Sequence, residues 1–149
     1  MAGRDDWDDD VDPRTRLPEP PPDVELDVEV RDWLHRGLDL LDAGSSEAAV
    51  ALLGRAAAAE PRSRQVREAL ARAQFDAGRY AEARETFAWI TTANPSDDYA
   101  QFGWGLAAAQ EGDMEEAVEH LALAASMRPD VIHYNTALRG ARAALADSG

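Results

Sequence analysis

From about Val30 onward, apolar side chains return every three to four positions in blocks of about thirteen residues, the period of helices that bury one face. The blocks come in pairs. First members cover about 31–43, 64–77 and 97–111, and second members about 46–59, 80–93 and 114–127. Between the members of each pair stands a glycine (Gly44, Gly78 or Gly112), the residue that accepts left-handed backbone just past a helix end. Pro61, Pro95 and Pro129 close the pairs, because the residue before a proline avoids helical geometry. Ser45 and Ser96 are suited to cap their helices, and Asp113 with Glu116 suits a capping box. A last block, Val131 to Ala146, has no partner; Asp130 is placed to cap it, and Arg139 and Arg142 alternate with Leu138, Ala141 and Leu145.

The glycines and prolines fall 34 residues apart, and so do Ala49, Ala83 and Ala117, and the small residues Gly37, Ala71 and Gly105. Columns in register at this interval predict an all-α stack of repeats. The units cover about 30–63, 64–97 and 98–131, with a capping helix over about 131–146. Small residues let the paired helices approach, while Leu53, Phe87 and Leu121, one turn after the alanines, should fill the core. Stacked repeats act through surfaces shared by several units, so an interaction surface is expected.

Residues 1–28 carry neither helical nor strand period. Asp5, Asp6, Asp8, Asp9, Asp10 and Asp12 surround Trp7, and Pro18, Pro20, Pro21 and Pro22 follow. Such a segment buries too little apolar surface to order itself, so a disordered acidic, proline-rich tail is expected. The net charge of -14 repels phosphate backbones and anionic bilayers, which argues against nucleic-acid and membrane partners. The longest apolar stretches, such as Leu121 to Ala125, are too short to span a bilayer, and the chain opens on no leader-like run. A cytoplasmic protein is expected.

The chain has no cysteine and no lysine, which removes thiolate and Schiff-base chemistry. Arginine for every basic residue, with abundant alanine, points to a high-GC bacterial genome. His35, His120 and His133 lack partners at metal-binding spacing; Glu116 and His120 share a helix face, the arrangement of a surface pair. Gly103-Trp104-Gly105 falls mid-helix and so belongs to packing rather than to a phosphate loop. No catalytic residue, cofactor or metal is expected, and the chain reads as a non-enzyme.

Trp33, Gly37, Leu40, Ala49, Leu53, Ala56 and Pro61 in the first unit resemble the tetratricopeptide repeat pattern. So do Leu70, Ala71, Tyr80, Ala83, Phe87 and Pro95 in the second, and Trp104, Gly105, Ala117, Leu121, Ala124 and Pro129 in the third. The resemblance covers residues 30–146. Arg36, Arg67, Gln74 and Gln101 depart from the pattern, which expects leucine at the first and aromatic residues at the others.

The resemblance implies a right-handed α-solenoid whose first helices line a concave groove that receives a peptide or helix of a partner protein. Its groove positions fall on Arg31, Leu34, Leu38, Leu41 and Asp42, then Gln65, Glu68, Arg72, Phe75 and Asp76, then Tyr99, Phe102, Leu106, Ala109 and Gln110. Leu34, Leu38, Phe75, Tyr99 and Phe102 are the expected anchors. One subclass of the family clamps a peptide's terminal carboxylate with lysine, asparagine and arginine. The matching residues here, Leu34, Leu38, Ala69, Tyr99 and Gly103, provide no such donors. The function this implies is a protein-interaction adaptor for an apolar or basic segment. The alternative gives binding or autoinhibition to the acidic tail, with the repeats as a platform.

Overall fold

The computed structural model describes residues 24–148, and the acidic run, Trp7 and the prolines lie outside them. The described residues form seven helices: α1 (Val28–Asp42), α2 (Ser46–Ala59), α3 (Arg64–Asp76), α4 (Tyr80–Ala93), α5 (Asp98–Gln110), α6 (Met114–Met127) and α7 (Ile132–Ser148). The second helix of each pair runs where its apolar period places it. α1 starts earlier than expected, within the stretch assigned to the tail. Asp27 accepts the Val30 amide at 2.9 Å there, and Leu26 before it is buried.

The turn chemistry is partly as expected. Gly44, Gly78 and Gly112 hold φ of 82°, 79° and 86°, backbone that a side chain would strain. Several caps differ from expectation. α5 is capped by Asp97, which accepts the Ala100 amide at 3.1 Å, whereas the Ser96 hydroxyl donates to Asn94. Ser45 precedes α2 without a side-chain cap. Asp113 accepts the Glu116 amide, yet the Glu116 carboxylate turns to Arg84 and leaves the capping box half made. Asp130 is held by Arg128 at 2.8 Å and does not cap α7.

Each helix packs on its neighbours in sequence, and α1, α3, α5 and α7 also touch in series while the second helices do not touch one another. The first helices therefore form the inner row of the stack. Small residues let the two helices of a pair approach closely: a Cβ on Gly37 of α1 would lie 2.5 Å from Leu53 of α2, and one on Gly105 of α5 2.7 Å from Leu121 of α6. Leu53, Phe87 and Leu121 are buried between units, as their register predicts. α7 buries Tyr134, Leu138 and Ala141 and leaves Arg139 and Arg142 exposed, so it closes the core with a polar outer face.

Three of the departures from the repeat pattern acquire partners across their helix pair. In the first unit the Arg55 guanidinium lies 4.7 Å from the Trp33 ring centroid. In the second the same two positions carry the exchanged residues, and Arg67 lies 4.7 Å from Trp89. Thr86 donates to the Gln74 carbonyl oxygen at 2.7 Å. Gln101 donates its amide to the Pro95 carbonyl and offers its oxygen to His120 Nδ1 at 2.8 Å, so Nδ1 carries the proton. His120 is not a surface partner of Glu116: it is buried and stacks on Trp104 with centroids 3.7 Å apart.

Burial pushes the His120 pKa below the ordinary histidine value of 6.5. The folded protein therefore takes up this proton less readily than the unfolded chain. The stabilisation is complete above pH 6.5 and is lost as pH falls through the lower folded value. Urea midpoints measured between pH 7.5 and 5 should fall more steeply for the wild type than for His120→Gln. Parallel profiles would show that His120 contributes no pH dependence.

Candidate binding groove

α3 and α5 lie side by side in the inner row. The helical period turns Arg72, Phe75 and Asp76 of α3 toward Tyr99, Phe102 and Leu106 of α5, and these six line one depression of about 170 Å³. Its floor is Phe87 of α4, seen past Gly103. A Cβ on Gly103 would come within 2.3 Å of the Phe87 ring, so the missing side chain lets the ring lie there. Ring contacts run from Phe87 to Tyr99 at 6.2 Å, to Phe102 at 6.5 Å and to Tyr134 of α7 at 4.7 Å. Burial raises the Tyr99 pKa above 10, opposed by the nearby charge of Arg72, so the phenol stays protonated and able to donate.

The start of α5 is held from both sides. Arg64 of α3 donates to Asp97 at 2.6 Å, and the Tyr134 hydroxyl donates to Asp98 at 2.6 Å. One link joins the second unit to the third, and the other joins the third unit to α7.

Six of the expected groove residues, Arg72, Phe75, Asp76, Tyr99, Phe102 and Leu106, thus meet around one depression. Others fall elsewhere. Leu34 and Leu41, expected in the groove, are 1% and 8% exposed and belong to the first core cluster. That cluster also takes in Val24, Leu26 and Val30, together with Val66 and Leu70 of α3, so this part of α1 is enclosed. Leu38 is half-buried against the same cluster. Arg31 donates to the Leu26 carbonyl at 2.8 Å, and Glu68 pairs with Arg64 at 2.9 Å. Phe87 and Gly103 were read only as packing residues. A glycine two positions before the recurrent Gly105 was the one sequence signal of the floor.

A second, more open depression of about 420 Å³ between α4 and α6 includes Trp104, Arg84, Glu85, Glu111 and Glu116. Arg84 already pairs there with Glu111 and Glu116, so most of its charge is satisfied internally.

The tetratricopeptide repeat profile matches residues 34–88 and 68–132, which span both helix rows and the groove. The chain belongs to the tetratricopeptide repeat family. Its repeats are 36% identical over 110 residues to superkiller complex protein 3 of Mus musculus, a match that takes in 72% of this chain and 7% of the mouse protein. The tetratricopeptide fold is shared with the first repeat domain of Spaghetti (RPAP3) bound to the HSP90 peptide SRMEEVD. That likeness has a TM-score of 0.75 and 20% identity, and covers 83% of this chain and 98% of the other. YrrB, a repeat protein with an unusual peptide-binding site, superposes with a TM-score of 0.71 and 23% identity over 74% of this chain and 57% of its own. Among the described residues, no helix of this repeat protein is long and apolar enough to cross a membrane.

Proposed function

We propose that this chain is a non-catalytic interaction module whose inner row of helices binds an apolar or basic segment of a partner protein. The observation that carries this reading is the depression between α3 and α5, where Phe75, Tyr99, Phe102 and Leu106 remain partly exposed around the Phe87 ring. Partly exposed aromatic side chains in a concave site are the groups that dominate interface energy. Peptide binding by the Spaghetti domain and by YrrB supports the same use of the fold. A terminal-carboxylate clamp is disfavoured: of the five clamp positions, Leu34 is buried, Gly103 has no side chain and Leu38 and Ala69 are apolar, while Tyr99 offers no cation. The net charge of -14 favours encounter with a basic partner through long-range steering.

Affinity capture from the native cell, with the full chain and with a Leu38→Glu, Phe75→Glu, Phe102→Glu variant, tests the proposal. Each buried aromatic anchor contributes about 2 kcal/mol or more, so the variant should weaken specific capture by at least about 100-fold while keeping its helical circular dichroism. Undiminished capture would place binding outside the groove. Loss on deletion of residues 1–23, with the variant unaffected, would give the function to the tail.

A further inference from the structure

Resting on the groove reading, we infer that the site selects a partner segment by two adjacent features. An apolar side chain of leucine or phenylalanine size enters the depression, and a carboxylate one or two residues away pairs with Arg72.

The volume sets the first feature. A cavity of about 150 Å³ lined by apolar side chains accepts one benzene ring. A depression of about 170 Å³ therefore takes one ring or one branched aliphatic group, and not two.

Charge sets the second. Among the described residues, five arginines are half-buried: Arg64, Arg67, Arg72, Arg84 and Arg128. Arg64, Arg84 and Arg128 are paired with carboxylates, and Arg67 stacks on Trp89 and donates to the Pro61 carbonyl. Arg72 is the exception: it makes no ion pair or hydrogen bond with a described residue, and it lies close enough to the Tyr99 phenol for its charge to act there, as do Glu68 and Asp76. Glu68 is committed to Arg64. Asp76, one turn along from Arg72, is exposed and makes no ion pair with it, so solvent screens its charge.

A half-buried guanidinium has given up part of its hydration and regains it best from a carboxylate, which accepts two of its five donors at once. This local preference coexists with a basic partner overall. Steering acts over separations comparable to the Debye length of about 8–10 Å, whereas the anchor is chosen at contact.

Panning a random nonapeptide display library against the full chain tests the inference. Wild-type protein should enrich Leu or Phe with Asp or Glu one or two positions away. Arg72→Gln should lose the acidic preference at least about tenfold and keep the apolar one, because charge-assisted hydrogen bonds contribute roughly 1.5–3 kcal/mol. Apolar enrichment without an acid, or an acidic preference that survives Arg72→Gln, would overturn the paired anchor while leaving the groove reading in place. No enrichment sensitive to Phe102→Glu would overturn both. Enrichment that emerges only in a Leu17→Ser, Glu19→Gln background would assign the pair to the chain's own tail and overturn the partner assignment.

Discussion

Phe87→Ala should destabilise the protein by about 3–5 kcal/mol, the usual cost of emptying a buried phenylalanine site. That is a large fraction of the roughly 5–15 kcal/mol that holds a native domain together. The ring is 2% exposed, lies against Gly103 and meets Tyr99 edge to face. It joins α4 of one unit to α5 of the next. In a stack of repeats such a contact carries the coupling between neighbours, so its loss should let the two ends unfold separately. Hydrogen exchange should show α5, α6 and α7 opening before α1 and α2. The depression would lose its floor as well, and affinity should fall with stability. A loss below about 1 kcal/mol, or uniform exchange along the chain, would contradict this account. Gly103→Ala provides a converse check, because it forces the same ring aside; overpacking of this kind costs about 1–3 kcal/mol. The same substitution should cost much less once Phe87 is alanine, so the double-mutant cycle should show strong coupling between the two.

The register of the stack was legible because its signals are local. A glycine that must take positive φ, a proline that must end a helix and a 3.6-residue period each act within a few residues. The three second helices accordingly begin and end where the pattern places them. Caps were less legible. Ser96, Asp97 and Asp98 offer three candidate side chains in a row, and the choice of Asp97 accompanies a bond from Arg64 in the previous unit. Of the positions expected to face a groove, Phe75, Tyr99 and Phe102 on α5 and the end of α3 keep partly exposed faces. Exposure was misread on α1. Leu34 occupies the equivalent register position, but its exposure depends on Val24, Leu26 and α3 closing around it, which the helical period does not encode. Arg67, Gln74 and Gln101 read as lost consensus residues for a related reason: their partners Trp89, Thr86 and His120 sit on the opposing second helix.

Asp97→Ala should be the most damaging polar substitution, at about 2–4 kcal/mol. The Asp97 side chain is 1% exposed and does two jobs: it caps α5 through the Ala100 amide and accepts from Arg64 at 2.6 Å. Losing an N-cap costs about 1 kcal/mol. Breaking a buried ion pair costs about 3–5 kcal/mol, reduced here because Arg64 is 39% exposed and water can solvate the freed guanidinium. Asp97→Asn separates the two terms, since its amide oxygen can still cap the helix without carrying charge. It should recover about 1 kcal/mol of the loss in urea unfolding. Tyr99 lies two residues beyond the cap, so fraying of the first turn of α5 moves a wall of the depression. The alanine variant should therefore bind groove ligands more weakly than its stability alone accounts for at a temperature where it is still folded. Equal losses for alanine and asparagine would assign the effect to the ion pair and exclude the cap. Losses below about 0.5 kcal/mol for both would mean that the link between the second and third units does not hold α5 in place, and that the hydrophobic contacts around Phe87 set its position unaided.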